Sequence, residues 1–230
     1  MPGAHLLPGR RERLIGLLLF VGFLALFFCV QRAQVPSYDG KIMYSVTKSI
    51  VDRGSLTTGG GDPFGFNTPY AVYGIGTSLL LIPGYALQRL LGTPDDVYVT
   101  MMNPLVLAAT GVLVYRLGRA LRWPHTPAIW AALMFGYLTM VPQASTELFS
   151  EPGVTFGTVL AALGIVRWRD GAAWAPWAAG VGIAVAILFR TDSIPLVGVA
   201  VLALPMFVPW RRLRSSPWRL AGLVLPFLAV

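Results

Sequence analysis

Cysteine, histidine and charge are all scarce in this sequence, and each scarcity removes a class of protein. Cys29 is the single cysteine and lies inside an apolar run, which excludes a disulfide-stapled secreted module. His5 and His125 are the only histidines, too few to complete a four-ligand zinc site with one thiol. Charged residues make up 12% of the 230 positions, against about 25% in soluble domains. With 55% hydrophobic residues and a mean hydropathy of +0.65, too little polar surface is left to cover a fold in water. The chain therefore reads as an integral membrane protein. What charge there is leans one way, 18 basic residues against 10 acidic and a net +8. Most arginines stand at the ends of apolar runs, so the basic balance reads as membrane topology and not as a nucleic-acid surface.

The first apolar run, 14–30, follows Arg10, Arg11 and Arg13 and carries no charge. No small-residue cleavage site follows it, so it reads as a retained anchor with its N-terminus inside. Further runs are 71–91, 97–115, 127–141, 153–166, 172–189, 193–210 and 220–230. Whether 71–91 crosses decides the orientation of everything after it. If it stays on the outer face, Arg10, Arg11, Arg13, Arg116, Arg119, Arg122, Arg167, Arg169, Arg211, Arg212, Arg214 and Arg219 share the inner side, twelve of the eighteen basic residues. If it crosses, that bias inverts. We read it as a re-entrant or interfacial helix, broken near Pro83-Gly84. Trp123, Trp168, Trp174, Trp177, Trp210 and Trp218 then mark the inner interface. The expected fold is an all-α polytopic bundle of six to seven spans in one domain, 1–230, with 31–96 as an outer loop. The run 220–230 has eleven residues where about 20 are needed to cross, so the sequence reads as the N-terminal portion of a longer chain.

The outer loop is the longest connection, and long loops carry function. Its first part, near 39–53, predicts a helix lying flat on the membrane: Ile42, Met43, Val46 and Ile50 form one stripe, while Lys41, Lys48 and Asp52 share the opposite face. Asp39 stands in the first turn on the apolar side, and its simplest role there is a helix cap. Gly59-Gly60-Gly61 reads as linker, since no strand precedes it and no phosphate-loop spacing follows. Ionisable groups at the outer mouths of spans are costly and so are candidates for function. They are Glu147 and Glu151, spaced i and i+4, and Arg190 with Asp192. Glu151 as an acid opening a helix, and Arg190 as partner to Asp192, are the corresponding structural roles.

The order of five short motifs resembles the GT-C class of membrane glycosyltransferases, of the protein mannosyltransferase and aminoarabinose transferase type. They are Tyr38-Asp39-Gly40, Tyr73-Gly74-Ile75-Gly76 through Pro83, Tyr115-Arg116-Leu117-Gly118-Arg119, Ser150-Glu151-Pro152, and Leu188-Phe189-Arg190-Thr191-Asp192. The resemblance implies a lipid-linked sugar donor carried on polyprenyl phosphate, and a glycan, lipid or protein acceptor with a hydroxyl or amine. It implies an active site on the outer face of the plasma membrane, and it places the general base on Asp39. Inverting displacement at an anomeric carbon fits a carboxylate that takes the acceptor proton. Arg190, Lys41 and Lys48 are the candidates to meet the leaving phosphate, with Tyr73, Glu147, Glu151 and Asp192 completing the substrate-binding set. Gly40 stands where some relatives carry a second acid, so a divalent metal is possible but not indicated. The competing readings are a transporter or flippase for a lipid or lipid-linked substrate, for which paired interrupted halves are missing, and a membrane scaffold without chemistry.

Overall fold

Prolines and small residues set both the helix boundaries and the closeness of the packing. The computed structural model describes residues 9–32, 34, 35, 37–59, 69–209 and 217–228. Trp210, Arg211, Arg212, Arg214, Gly60, Gly61 and the side chain of Arg219 lie outside the described residues. Among the described residues the fold is all-α, without strands. In order the helices are α1 (Arg10–Val30), α2 (Tyr38–Arg53), α3 (Ile75–Leu91), α4 (Val97–Thr100), α5 (Met102–Ala120), α6 (His125–Tyr137), α7 (Val141–Ser145), α8 (Glu151–Arg169), α9 (Ala175–Phe189), α10 (Pro195–Phe207) and α11 (Pro217–Leu228), with a 3-10 turn at Thr191–Ser193. Two stretches, Arg10–Val30 and Val97–Ala120, are long and apolar enough to cross a bilayer; α3, α9 and Thr191–Phe207 are apolar but shorter.

Paired side chains assign the helix termini to two ends of the bundle. Glu12, in the first turn of α1, accepts from Arg119 near the end of α5 at 2.9 Å. Arg169, ending α8, donates to the carbonyl of Ala120 at 2.9 Å. The arginines that close α5 and α8 thus stand at one end with the start of α1. At the other end the Gln31 amide donates to the carbonyl of Thr100 at 2.8 Å. That carbonyl is without its usual helical partner because residue 104 is a proline and has no N–H to offer, which is also why α4 and α5 are separate helices.

The α8–α9 hairpin is joined by small residues. A Cβ on Gly157 would stand 2.7 Å from the backbone nitrogen of Ala186, and one on Gly164 2.5 Å from that of Ala179. Such backbone-to-backbone approach is what small-residue helix packing provides. It also brings the end of α9 beside the start of α8, and so Arg190 beside Glu151. Trp168 is fully buried in the cluster with Ile183, Ile187 and Leu204, a core side chain and not an interfacial anchor. Trp123, Trp174, Trp177 and Trp218 are exposed.

Helix α3 keeps both ends at the end of the bundle away from Arg119 and Arg169. Its start packs on Leu188 and Phe189, the last residues of α9. Its last turn is held by Gln88 donating to Asp96 at 3.2 Å, just before α4. Pro83-Gly84 does not break it: the helix runs on, and Gly84 is where it crosses the backbone of Tyr98 and Val99 at close range. Helix α2 lies against α3 through buried polar contacts that its apolar stripe does not announce. The Thr47 hydroxyl donates to the carbonyl of Ser78 at 2.9 Å, and the Ser78 hydroxyl to that of Met43 at 2.9 Å. Tyr44 meets Tyr85 edge-on at 5.7 Å and donates to Asp96 at 2.9 Å, while Tyr85 and Arg89 both donate to Asp52.

Candidate functional site

Asp39 is not the cap of its helix. Ser37 is, its Oγ accepting from the backbone N–H of Gly40 at 3.2 Å, so the Asp39 carboxylate is released from the role that most often explains an acid at such a position. It accepts a hydrogen bond from the Tyr73 hydroxyl instead. Burial together with that bond to an anion pushes the Tyr73 pKa up to about 12, so Tyr73 remains a proton donor over the whole physiological range. Gly40 is fixed by packing: a Cβ there would lie 2.6 Å from Ser37 Oγ and 3.1 Å from Leu148. A side chain at 40 would displace the cap, which leaves no room for a second acid.

Asp39 and Tyr73 line a cavity of about 530 Å³, and the same cavity is lined by Glu151, Arg190 and Asp192 from the α8–α9 end. Arg190 is a fork between two acids. Its Nη1 donates to Glu151 Oε1 at 2.6 Å, and Nε and Nη2 grip Asp192 at 3.0 and 2.7 Å. The bidentate partner holds the Arg190 guanidinium above its ordinary pKa and the Asp192 carboxyl below its own. Both structural roles weighed for these residues are therefore real, and they are carried out on the cavity wall. Three carboxylates face one guanidinium there, a formal charge of −2. Among the described residues no three Asp, Glu, His or Cys side chains are grouped to hold a metal ion.

The placement of Arg190 rests on Phe189, which is buried and wedged between three glycines. A Cβ on Gly76 would stand 2.6 Å from its ring, one on Gly74 would stand 2.6 Å from the carbonyl of Leu188, and one on Gly153 would overlap the ring. The Tyr-Gly-x-Gly run thus has a steric meaning. It lets the start of α3 sit directly on the end of α9, which sets Tyr73 and Arg190 on one cavity.

Three expected members are elsewhere. Lys41 and Lys48 are exposed on the far side of α2, and the Lys48 ammonium lies 4.1 Å from the ring centre of Tyr44. The reason is helical phase: Asp39 and Met43 are four apart and face the cavity, so position 41, two residues on, turns away. Glu147 does not share a helical face with Glu151, because residues 146–150 are not helical. The buried Asn103 amide donates to the carbonyls of Glu147 and Phe149 at 2.7 and 3.1 Å and holds this segment open. The Glu147 side chain is not on the cavity wall, and its Oε2 is buried without a partner among the described residues. Phe149, Ser150 and Thr191 do line the cavity. Only their adjacence to Glu151 and Arg190 marks them in the sequence.

Beyond Arg190 the cavity continues. Glu151, Arg190 and Asp192 are shared with a hollow of about 420 Å³ between α8 and α10. That hollow shares Thr158, Leu196 and Val199 with an apolar groove of about 290 Å³ reaching Leu121 and Phe207. The three hollows thus adjoin one another, and the apolar track of the last two between α8 and α10 lies next to the charged mouth. Compared with family models, curated proteins and solved structures, the chain matches none.

Proposed function

We propose that this chain is a membrane glycosyltransferase of the GT-C type, taking a sugar from a polyprenyl-phosphate carrier. In this reading the bundle is embedded by six crossings, the N-terminus is inside, and α3 is held at the outer face of the plasma membrane. The sorting of bundle ends supports it: Arg119 and Arg169 gather at the end holding the start of α1, as positive-inside orientation requires, while Asp39, Tyr73, Glu151, Arg190 and Asp192 gather at the other.

The observation that carries the reading is the arrangement of Asp39. It is a half-buried carboxylate, free of capping and held by Tyr73, on the wall of a 530 Å³ cavity that also presents a guanidinium. An acceptor hydroxyl entering there gives its proton to an Asp39 oxygen as its own oxygen bonds to the anomeric carbon. The bond from that carbon to the carrier phosphate breaks, and the electron pair leaves on the phosphate, on the opposite face of the sugar. Arg190 stands where the phosphate departs; its pairs with Glu151 and Asp192 are solvent-exposed and therefore exchange readily for a phosphate oxygen. The isoprenoid chain has its place in the apolar track between α8 and α10.

The test is transfer from a polyprenyl-phosphate sugar by the native protein and by Asp39→Asn. The amide keeps the size and the bond from Tyr73 but cannot take a proton, and removing a general base lowers transfer by about 10²- to 10⁴-fold. Transfer at the native rate would end the assignment. Orientation has a separate test: after Cys29 is replaced, a cysteine at Arg119 stays unlabelled by an impermeant thiol reagent added outside, and labelling there would reverse the topology.

A further inference from the structure

At the end of the bundle opposite the cavity, four arginines cluster and divide their work unequally. Arg119 closes α5, donating to Glu12 at 2.9 Å and to the carbonyl of Trp123. Arg169 closes α8, pairing with Asp170 at 3.4 Å and donating to the carbonyl of Ala120 at 2.9 Å. These two satisfy what helix C-termini ask of cations, exposed carbonyls and the negative end of the dipole. Arg116 and Arg167 have no ion pair and no side-chain hydrogen bond among the described residues, although they stand one turn and two residues away from those that do.

Arg116, Arg119 and Arg167 line one small cavity of about 80 Å³ with Tyr115, Leu163 and Trp174. Glu12 is the only acid on it and already belongs to Arg119, so the lining carries a formal +2. Two unpaired guanidinium groups on one concave surface are a geometry for a tetrahedral oxyanion, each able to offer a pair of parallel N–H donors. The cavity is about one-seventh the volume of the one holding Asp39, the scale of a phosphate group and not of a sugar. Trp123, Trp174 and Trp177 are exposed around this end, the depth at which indoles meet head groups.

We propose that Arg116 and Arg167 bind the phosphate of an anionic phospholipid at the inner leaflet, in a site separate from the transferase cavity. The site goes beyond the transferase reading and takes from it only that the bundle is embedded in a membrane with the start of α1 inside. It does not use Asp39 or Arg190, so it stands or falls without any sugar being transferred.

The experiment is native mass spectrometry of the full chain in detergent with phosphatidylglycerol or phosphatidylcholine. The native protein retains phosphatidylglycerol over phosphatidylcholine, and R116Q/R167Q loses that preference by about tenfold or more, the lower end of what a charge-assisted hydrogen bond contributes. R10Q/R122Q, which removes the same charge from exposed positions that do not line the cavity, keeps it. Inorganic phosphate added in excess separates the sources: failure to displace the lipid supports a lipid site, and displacement supports the oxyanion site but gives it to a soluble phosphate. Equal retention by native protein and R116Q/R167Q overturns the proposal, as does an equal loss in R10Q/R122Q, which would make the attraction one of bulk charge. Should R116Q/R167Q not fold, the single variant R116Q at the more exposed position gives the same comparison.

Discussion

The wedge at Phe189 makes a prediction in which two similar substitutions behave differently. Gly153→Ala puts a methyl into the Phe189 ring, and Gly74→Ala puts one against the backbone carbonyls of Leu188 and Phe189. Overpacking costs about 1–3 kcal/mol. At Gly153, inside α8, it is offset by about 1 kcal/mol of helix propensity gained by alanine, leaving a net loss of roughly 0–2 kcal/mol. Gly74 precedes α3 and has no such offset, so the full 1–3 kcal/mol applies there. Phe189→Leu alone removes ring volume and costs about 1–2 kcal/mol. In the double variant with Gly153→Ala the leucine vacates the space the methyl needs, and the two changes couple favourably by about 0.5–3 kcal/mol. With Gly74→Ala it does not, because the obstruction is main chain. The assay is thermal or denaturant unfolding of the purified protein for the three single and two double variants against native. Rescue of Gly74→Ala by Phe189→Leu, or additivity between Gly153→Ala and Phe189→Leu, would refute the wedge and with it the account of how Arg190 is placed.

Three further outcomes are expected. Ser37→Ala removes the cap of α2 and lowers stability by about 1 kcal/mol while leaving the Asp39 carboxylate in place, so unfolding and transfer separate between Ser37→Ala and Asp39→Asn. Tyr73, raised to about 12 from an unfolded value near 10, adds stability that is complete below about pH 10 and is lost as pH rises through about 12; in a phenolate absorbance titration Tyr73→Phe deletes one late-titrating group, and deletion of one titrating near 10 would contradict the bond to Asp39. Asn103→Leu leaves the carbonyls of Glu147 and Phe149 unpaired at about 1–3 kcal/mol each; Asn103→Asp keeps one residue's size but faces both carbonyls with an acceptor, so it is at least as unstable at neutral pH and recovers on acidification, as unfolding at two pH values will show.

Helical phase and proline chemistry explain where reading the sequence reached the site and where it stopped. Asp39, Glu151, Arg190 and Asp192 stand out because ionisable residues at the mouths of apolar runs are conspicuous, and they do line one cavity. Lys41 and Lys48 were equally conspicuous by charge, yet the period of α2 that turns Asp39 inward turns both of them out. Ser37 was inconspicuous beside Asp39, and only the backbone at the start of α2 shows which of two neighbouring oxygens receives the N–H of Gly40. Asn103 carried no local signal at all, since its partners are more than forty residues away.

Composition and the spacing of apolar runs by themselves determined an all-helical chain, the location of α1, α2, α5, α8 and α9, and the segregation of arginines to particular helix ends, because periodicity and hydropathy are properties of short stretches of chain. The tertiary structure alone decided that α3 runs unbroken through Pro83-Gly84, that Phe189 is gripped by glycines from two distant segments, and that among the described residues Arg116 and Arg167 are left without partners while Arg119 and Arg169 are satisfied. Those depend on which backbones can approach within van der Waals contact, and close approach between segments far apart in sequence is set by the whole packing and not by any one stretch.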